Sequence, residues 1–202
     1  MKRGTLIVLS GSSGVGKSTV IGKVLEARPD IHFSVSFTTR APREGEVDGV
    51  NYNFVSREDF EARIARGEFL EYAEYAGNLY GTSMAVIREH LDAGTDVLLD
   101  IEVQGAANVR KKMPEAVTMF IVPPSFAVLS ERLHKRGTDS EEKIQERLAI
   151  ARKEAREIPD YHYVVVNDDL NKAVEETLSI LTAEGCRTAR CTHIVDALLE
   201  GE

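Results

Sequence analysis

Apolar runs of strand length alternate along most of this chain with stretches whose apolar residues recur every three or four positions. The runs at Leu6–Leu9, Phe33–Ser36, Val97–Ile101, Thr118–Val122 and Tyr163–Val166 predict core strands, and Pro123-Pro124 stops the fourth sharply. Between them the helical spacing predicts helices at about Ser18–Ala27, Ser83–Ala93, Val103–Lys112, Ser125–Lys135, Ser140–Glu157 and Leu170–Ala183. Strand–helix alternation of this kind predicts an α/β fold, a mainly parallel sheet flanked by helices. No internal repeat interrupts it.

Residues 37–82 break the rhythm. They hold a polar loop (Thr38–Gly49), a strand-like piece (Tyr52–Val55) and one short helix, which opens at Ser56 with Asp59 as an acidic variant of a capping box and ends near Gly67. Two further strand-like pieces, Phe69–Glu74 and a stretch around Leu79-Tyr80, join through Gly77-Asn78 as a hairpin turn. The segment reads as a small α+β insertion. Such sheets bind ligands beyond the carboxyl ends of their strands, so the insertion is expected to overhang that edge and to serve a second substrate. His134-Lys-Arg136-Gly-Thr-Asp-Ser140 is a second departure, a polar turn in which Thr138 and Glu141 form a plausible capping box. It suits either an ordinary helix–helix corner or a mobile lid.

The chemistry starts behind the first strand. The run from Gly11 to Ser18 fits G-x-x-x-x-G-K-[ST] without a mismatch, between a buried-type strand and a helical run. Its glycines let successive N–H groups point into one anion-sized hollow. Lys17 can reach the outer phosphates, the Ser18 hydroxyl is placed to meet Mg²⁺, and the following helix aims its positive end at the same spot. The expected phosphate-binding loop is therefore Gly11, Ser12, Ser13, Gly14, Val15, Gly16, Lys17 and Ser18, with Thr19 next in the helix.

Composition narrows the rest. The 202 residues, 43% hydrophobic, suit one compact unit with small insertions, and no tract approaches the length of a membrane span. The few residues before the first strand leave no room for a signal peptide to be expected, and the only cysteines, Cys186 and Cys191, lie in the tail, which predicts a soluble, cytoplasmic protein without a disulfide framework. A net charge of −8, from 25 basic against 33 acidic residues, disfavours a non-specific nucleic-acid surface. Against that background the arginines are local: Arg40 and Arg43 in one loop, and Arg132, Arg136 and Arg147 in another segment. Two guanidinium forks with the phenols of Tyr52 and Tyr80 would make a monophosphate pocket.

Several blocks resemble guanylate kinase. They are Ser34-Val-Ser-Phe-Thr-Thr-Arg40-Ala-Pro-Arg43-Glu-Gly-Glu, Asp48-Gly-Val-Asn-Tyr52, Glu68-Phe-Leu-Glu71, Asn78-Leu-Tyr80-Gly-Thr82, Leu99-Asp100-Ile-Glu102-Val-Gln-Gly105, Arg132-Leu-His-Lys-Arg136-Gly-Thr and Val166-Asn167-Asp168-Asp169-Leu170. The resemblance runs from about residue 4 to 184. It implies a P-loop nucleotide-kinase core (about 1–36 and 83–184), a GMP-binding lobe (about 37–82), an arginine-bearing lid (about 132–147) and a tail from Gly185 onward. The implied activity is transfer of the γ-phosphoryl of ATP, bound with Mg²⁺, to GMP. The alternatives are a kinase of another nucleoside monophosphate, an inactive guanylate-kinase-like interaction module, and a GTP-switch protein, whose guanine-reading segments are absent here.

Position by position, the resemblance puts the GMP phosphate on Arg40, Arg43, Tyr52 and Tyr80, and guanine among Ser36, Glu71, Thr82 and Asp100. Two carboxylates suit guanine's N1–H and N2–H₂ donors, and two hydroxyls suit O6. Asp100 suits the metal with Ser18, the guanine amine, or both through water. Asn167 and Asp168 resemble the adenine-side segment, or serve as the cap of the following helix. Lys17, Arg132, Arg136 and Arg147 are the expected catalytic cations. Cys186, Cys191 and His193 make a weak metal set and read as packing or free thiols, and Thr192–Leu199 reads as a short terminal helix. Monomer and homo-oligomer both stay open.

Overall fold

The computed structural model describes residues 3–200 apart from 76, 136 and 138, and leaves out the side chains of Tyr75 and His193. Arg136, Thr138 and the His193 side chain, all named above, therefore lie outside the described residues.

A sheet of five parallel strands carries the core. In chain order it takes β1 (Leu6–Ser10), β2 (His32–Phe33), β7 (Val97–Asp100), β8 (Val117–Val122) and β9 (Tyr163–Val166), arranged β2-β7-β1-β8-β9. Both faces are covered, so successive residues of one strand enter different cores. Ile7 and Leu9 join Met119, Ile121 and Val165 beneath α1 (Lys17–Ala27), α5 (Phe126–Lys135), α6 (Glu141–Glu154) and α7 (Leu170–Gly185). Leu6 and Val8 join Leu99 and Phe120 beneath α3 (Met84–Asp92) and α4 (Val103–Lys112). The near-continuous apolar character of these strands is the consequence of that double burial.

The insertion forms its own sheet, β4-β3-β6-β5, from β3 (Phe37–Thr38), β4 (Asn53–Phe54), β5 (Phe69–Tyr75) and β6 (Asn78–Ser83), with α2 (Arg57–Ala65) beside it. The Ser56 hydroxyl caps α2 by accepting from Asp59 N at 3.0 Å, as the spacing predicted. Its core is small: Phe60, Phe69 and Leu79, with Phe37, Val55 and Ile64 packed against them.

Four expectations need correcting. The strand placed at Phe33–Ser36 is paired only over His32–Phe33; Ser34 N still donates to Leu98 O at 3.0 Å, and beyond it the chain turns into the insertion. The hairpin does not turn at Gly77-Asn78, since Asn78 already pairs with Tyr75 as the first residue of β6. The helix begun at Ser140 is α-helical only to Glu154. It continues as a 3₁₀ segment, Ala155–Asp160, because Pro159 cannot donate to an α-helical carbonyl. Its cap is Ser140, whose hydroxyl accepts from Lys143 N at 3.4 Å. In the tail, α8 (Thr192–Leu199) is helical as predicted and leaves Ile194, Val195, Leu198 and Leu199 exposed. Among the described residues no helix is long and apolar enough to cross a membrane, and Cys186 and Cys191 are free thiols.

The insertion's core is the thinnest part of the molecule. Phe60 is fully buried and stacks on Phe69 with ring centroids 4.5 Å apart. Phe60→Ala is expected to cost about 3–5 kcal/mol on chemical denaturation, with backbone exchange accelerated first in residues 53–83. A loss under about 1 kcal/mol would show that the insertion does not depend on this ring.

Candidate active site

At the carboxyl edge of the parallel sheet a cleft of about 440 Å³ runs from the end of β1 to the underside of the insertion. One wall is the loop Gly11–Ser18, where Ser12, Ser13 and Ser18 line the cleft together with Thr19. Of these Ser12 is buried, packed into the loop itself. Gly16 ends the loop in the left-handed region (φ 87°), a conformation a side chain would strain, and a Cβ there would also lie 2.5 Å from Asn167 Nδ2. Asn167 is buried and donates from Nδ2 to Val15 O at 2.7 Å, so β9 braces the loop from behind. The first turn of α1 carries no acidic side chain, whereas α2 and α6 begin with Glu58-Asp59 and Glu141-Glu142. The positive end of α1 is thus left uncompensated toward the cleft.

Lys17 Nζ lies 2.6 Å from Asp100 Oδ1, across the β1–β7 pairing in which Leu9 stands beside Asp100. Burial is the largest influence on this ammonium and lowers its pKa, but Asp100, Glu102 and Glu154 together outweigh it. The net shift is upward and Lys17 is charged. Glu102, on the same wall, keeps contact with solvent in the cleft. Crowding by protein still raises its pKa, with Glu154 and Asp100 adding to the rise and Lys17 opposing it.

The opposite wall belongs to the insertion. Ser36, Arg40, Arg43, Tyr52, Glu71 and Tyr80 all reach the cleft. The Arg40 guanidinium lies over the Tyr52 ring, 5.3 Å from its centroid, and Tyr52 meets Tyr80 edge-on at 5.9 Å. Burial, followed by the Asp100 charge, raises the Tyr52 phenol, which keeps it a hydrogen-bond donor.

Glu71 is 4% exposed and accepts from Thr82 Oγ1 at 2.6 Å. Burial pushes its carboxyl up to about 7, against smaller opposing effects of Thr82 and Lys112. Gly105 is what admits it: a Cβ there would sit 2.6 Å from Glu71 Oε2. Lys112, at the other end of α4, donates to Phe69 O at 3.2 Å and ties the insertion to the core.

Some expected residues do not line the cleft. The Val15 side chain is buried under the loop, and Thr82 touches the site only through Glu71. Arg147 lines the cleft, with Nη1 3.1 Å from Asp139 Oδ2, whereas Arg132 on α5 does not. The cap of α7 is neither Asn167 nor Asp168 but Asp169, which accepts from Lys172 N at 2.9 Å. Conversely Glu46, Glu102 and Gly105 line the cleft without a role assigned from sequence. A glycine inside the first turn of a helix costs about 1 kcal/mol against alanine, and at Gly105 that local cost was a legible sign of close approach.

A phosphate-type loop at the carboxyl end of β1, a cation behind it and a second, arginine-lined wall define a P-loop kinase fold with room for two anionic ligands. The guanylate kinase family profile matches residues 3–184. A guanylate kinase of Halalkalibacterium halodurans is 50% identical over 201 residues, covering 100% of this chain and 98% of that protein. One of Thermus thermophilus is 53% identical over 197 residues, covering 98% of this chain and 89% of that protein. The crystal structure of guanylate kinase from Anaplasma phagocytophilum superposes with a TM-score of 0.78 at 37% identity, covering 94% of this chain and 90% of that one. The chain belongs to the guanylate kinase family, and membership makes it an enzyme, a kinase of guanylate.

Glu71 supplies a titration with a definite sign. Its folded pKa lies above the ordinary 4.5, so its contribution to stability is present below about pH 4.5 and is lost as pH rises through about 7. Carbon-13 NMR of the Glu71 carboxyl should give a midpoint near 7, displaced further upward in Thr82→Val, which removes a donor to the ionised form. A midpoint near 4.5 would contradict the desolvated environment.

Proposed function

We propose that this protein transfers the γ-phosphoryl of ATP to GMP, with ATP phosphates in the Gly11–Thr19 loop and GMP beneath the insertion. The observation that supports it best is the cleft itself, which presents main-chain amides and Lys17 on one wall and Arg40, Arg43, Tyr52 and Tyr80 on the other. The GMP phosphate is assigned to those four side chains. Guanine is assigned to Glu71 and Ser36, with Thr82 acting through the Glu71 carboxyl it donates to and Asp100 at the base's edge; N1–H and N2–H₂ donate to carboxylate, and O6 accepts from the Ser36 hydroxyl. Adenine lacks the N2 amine and would leave a buried acceptor unpaired. The adenine side of ATP is assigned to the segment of Asn167 and Asp168.

The acceptor oxygen belongs to a phosphate monoester with a second pKa near about 6, so it is largely ionised at neutral pH and no general base is required. The chain's work is alignment and neutralisation. One bond forms between a GMP phosphate oxygen and the γ-phosphorus, and the bond to the β–γ bridging oxygen breaks, leaving ADP. Lys17 follows the charge on the outer phosphates. Arg147, already at the cleft, approaches the γ-phosphoryl, and closure of the segment 132–147 brings Arg132 and Arg136 to it and excludes water.

The Ser18 hydroxyl and the Asp100 carboxylate form a hard-oxygen set that fits Mg²⁺ completed by water and phosphate oxygens. Among the described residues there is no cluster of three or more His, Cys, Asp or Glu side chains placed to hold a metal ion. When bound, Mg²⁺ neutralises phosphate charge and fixes the triphosphate's geometry. We place the protein in the cytoplasm, a setting that suits its two free thiols.

The test is turnover with ATP and Mg²⁺ on GMP, AMP and dTMP. GMP should exceed AMP in kcat/KM by about 10⁴-fold, as expected where a buried polar group is left unpaired by the wrong base. Lys17→Ala should lower kcat by about 10²-fold or more with the fold retained. Comparable turnover of AMP and GMP would overturn the base assignment, and near-normal kcat in Lys17→Ala would remove this lysine from the reaction.

A further inference from the structure

Glu46 is a carboxylate on the wall that the preceding reading gives to a phosphate, where an anion is unexpected. It lies in the otherwise irregular stretch between β3 and β4, and it lines the cleft. Its two oxygens are divided between the two arginines. Oε1 accepts from Arg40 Nη2 at 2.8 Å, and Oε2 accepts from the backbone N–H of Arg43 at 2.7 Å. Side-chain exposure is 14% for Arg40 and 18% for Glu46, so the pair is largely shielded from water. The hydrogen bond from Arg40, then that from Arg43 N, holds the Glu46 carboxyl below its ordinary pKa, and it is ionised at neutral pH.

The rest of Arg40 is fixed in the same way. Its Nη1 donates to Ala41 O at 2.8 Å, and its guanidinium carbon lies over both the Tyr52 and Phe54 rings, 5.3 and 5.8 Å from their centroids. One N–H on each terminal nitrogen is spent on these anchors, which leaves the others in a set direction. The Arg43 guanidinium, by contrast, makes no ion pair among the described residues. A long side chain with four rotatable bonds loses up to about 2 kcal/mol of rotamer entropy when a ligand must order it. A carboxylate that orders Arg40 beforehand, and pins the backbone from which Arg43 projects, removes most of that cost from the binding step.

We propose that Glu46 is a positioning residue for GMP: it holds Arg40 and the Arg43 backbone in the geometry that receives the monophosphate, and so sets KM for GMP. This rests on the assignment of Arg40 and Arg43 to that phosphate. The opposite role, an anion that competes with phosphate for Arg40, predicts the opposite sign on substitution.

The experiment is steady-state kinetics of Glu46→Gln, Arg40→Ala and the double variant, with ATP and GMP each varied. Glutamine keeps the shape but offers one acceptor where two donors converge. Glu46→Gln should raise KM for GMP at least tenfold, change kcat by less than threefold and leave KM for ATP within twofold, the last value also certifying the fold. Because the effect acts through Arg40, the same substitution in the Arg40→Ala background should add less than threefold. A KM for GMP that falls or stays within twofold in Glu46→Gln overturns the proposal, as does an undiminished effect in the double variant. If Arg40→Ala alone leaves KM for GMP unchanged, the phosphate assignment itself fails, and that outcome is distinguishable from failure of the brace.

Discussion

The ion pair of Lys17 with Asp100, 2.6 Å long at the join of two parallel strands, states the constraint that shapes this molecule. A site built to receive polyanions must hold cations in a shielded cleft before the anions arrive, and an unpaired charge there is costly. The chain answers with an acid for three of its cations: Asp100 for Lys17, Glu46 for Arg40 and Asp139 for Arg147. These acids come from three separate segments, the end of β7, the loop after β3 and the turn before α6. The fold brings them to the cations they serve; nucleotide binding must exchange Asp100 and Asp139 for phosphate oxygen, whereas Glu46 stays on Arg40 and leaves its remaining N–H groups to the ligand.

Glu71 obeys the same constraint in another way. It has no cation within ion-pair distance among the described residues; it is buried, takes one hydroxyl hydrogen bond, and its carboxyl rises to about 7. The space it occupies exists because residue 105 has no side chain. On the proposed reading the guanine edge supplies the donors that this carboxyl otherwise lacks, so base selectivity and the raised pKa share one physical origin.

Much of the fold was legible in the residues. Continuous apolar runs such as Leu6–Leu9 and Tyr163–Val166 encode strands covered on both faces, and Ser56 encodes a cap, because both signals are local. Boundaries failed where distant structure decides. Phe33–Ser36 has strand composition throughout, yet of these four residues only Phe33 pairs, and that depends on where the insertion begins. At the site, the glycine loop and the clustered arginines were visible as residue types at fixed spacing. Glu46 and the brace of Asn167 on Val15 O were not, because each role consists of a contact with another part of the chain; Gly105 showed only as a costly helical glycine, without the Glu71 carboxylate it admits. The Asn167 bond spans 152 positions. Asp169, not Asp168, proved to be the helix cap, a distinction of one residue that composition does not carry.

The central claim is that one cleft grips two nucleotides from opposite walls, the first by main-chain amides and Lys17, the second by the Arg40–Arg43 loop. The most direct measurement is a crystal structure of the protein soaked with GMP and a non-hydrolysable ATP analogue. The account predicts the triphosphate along Gly11–Ser18 and the GMP phosphate within hydrogen-bond distance of Arg40, Arg43, Tyr52 and Tyr80, with Lys17 released from Asp100. GMP bound elsewhere, or bound with its phosphate away from both arginines, would contradict it.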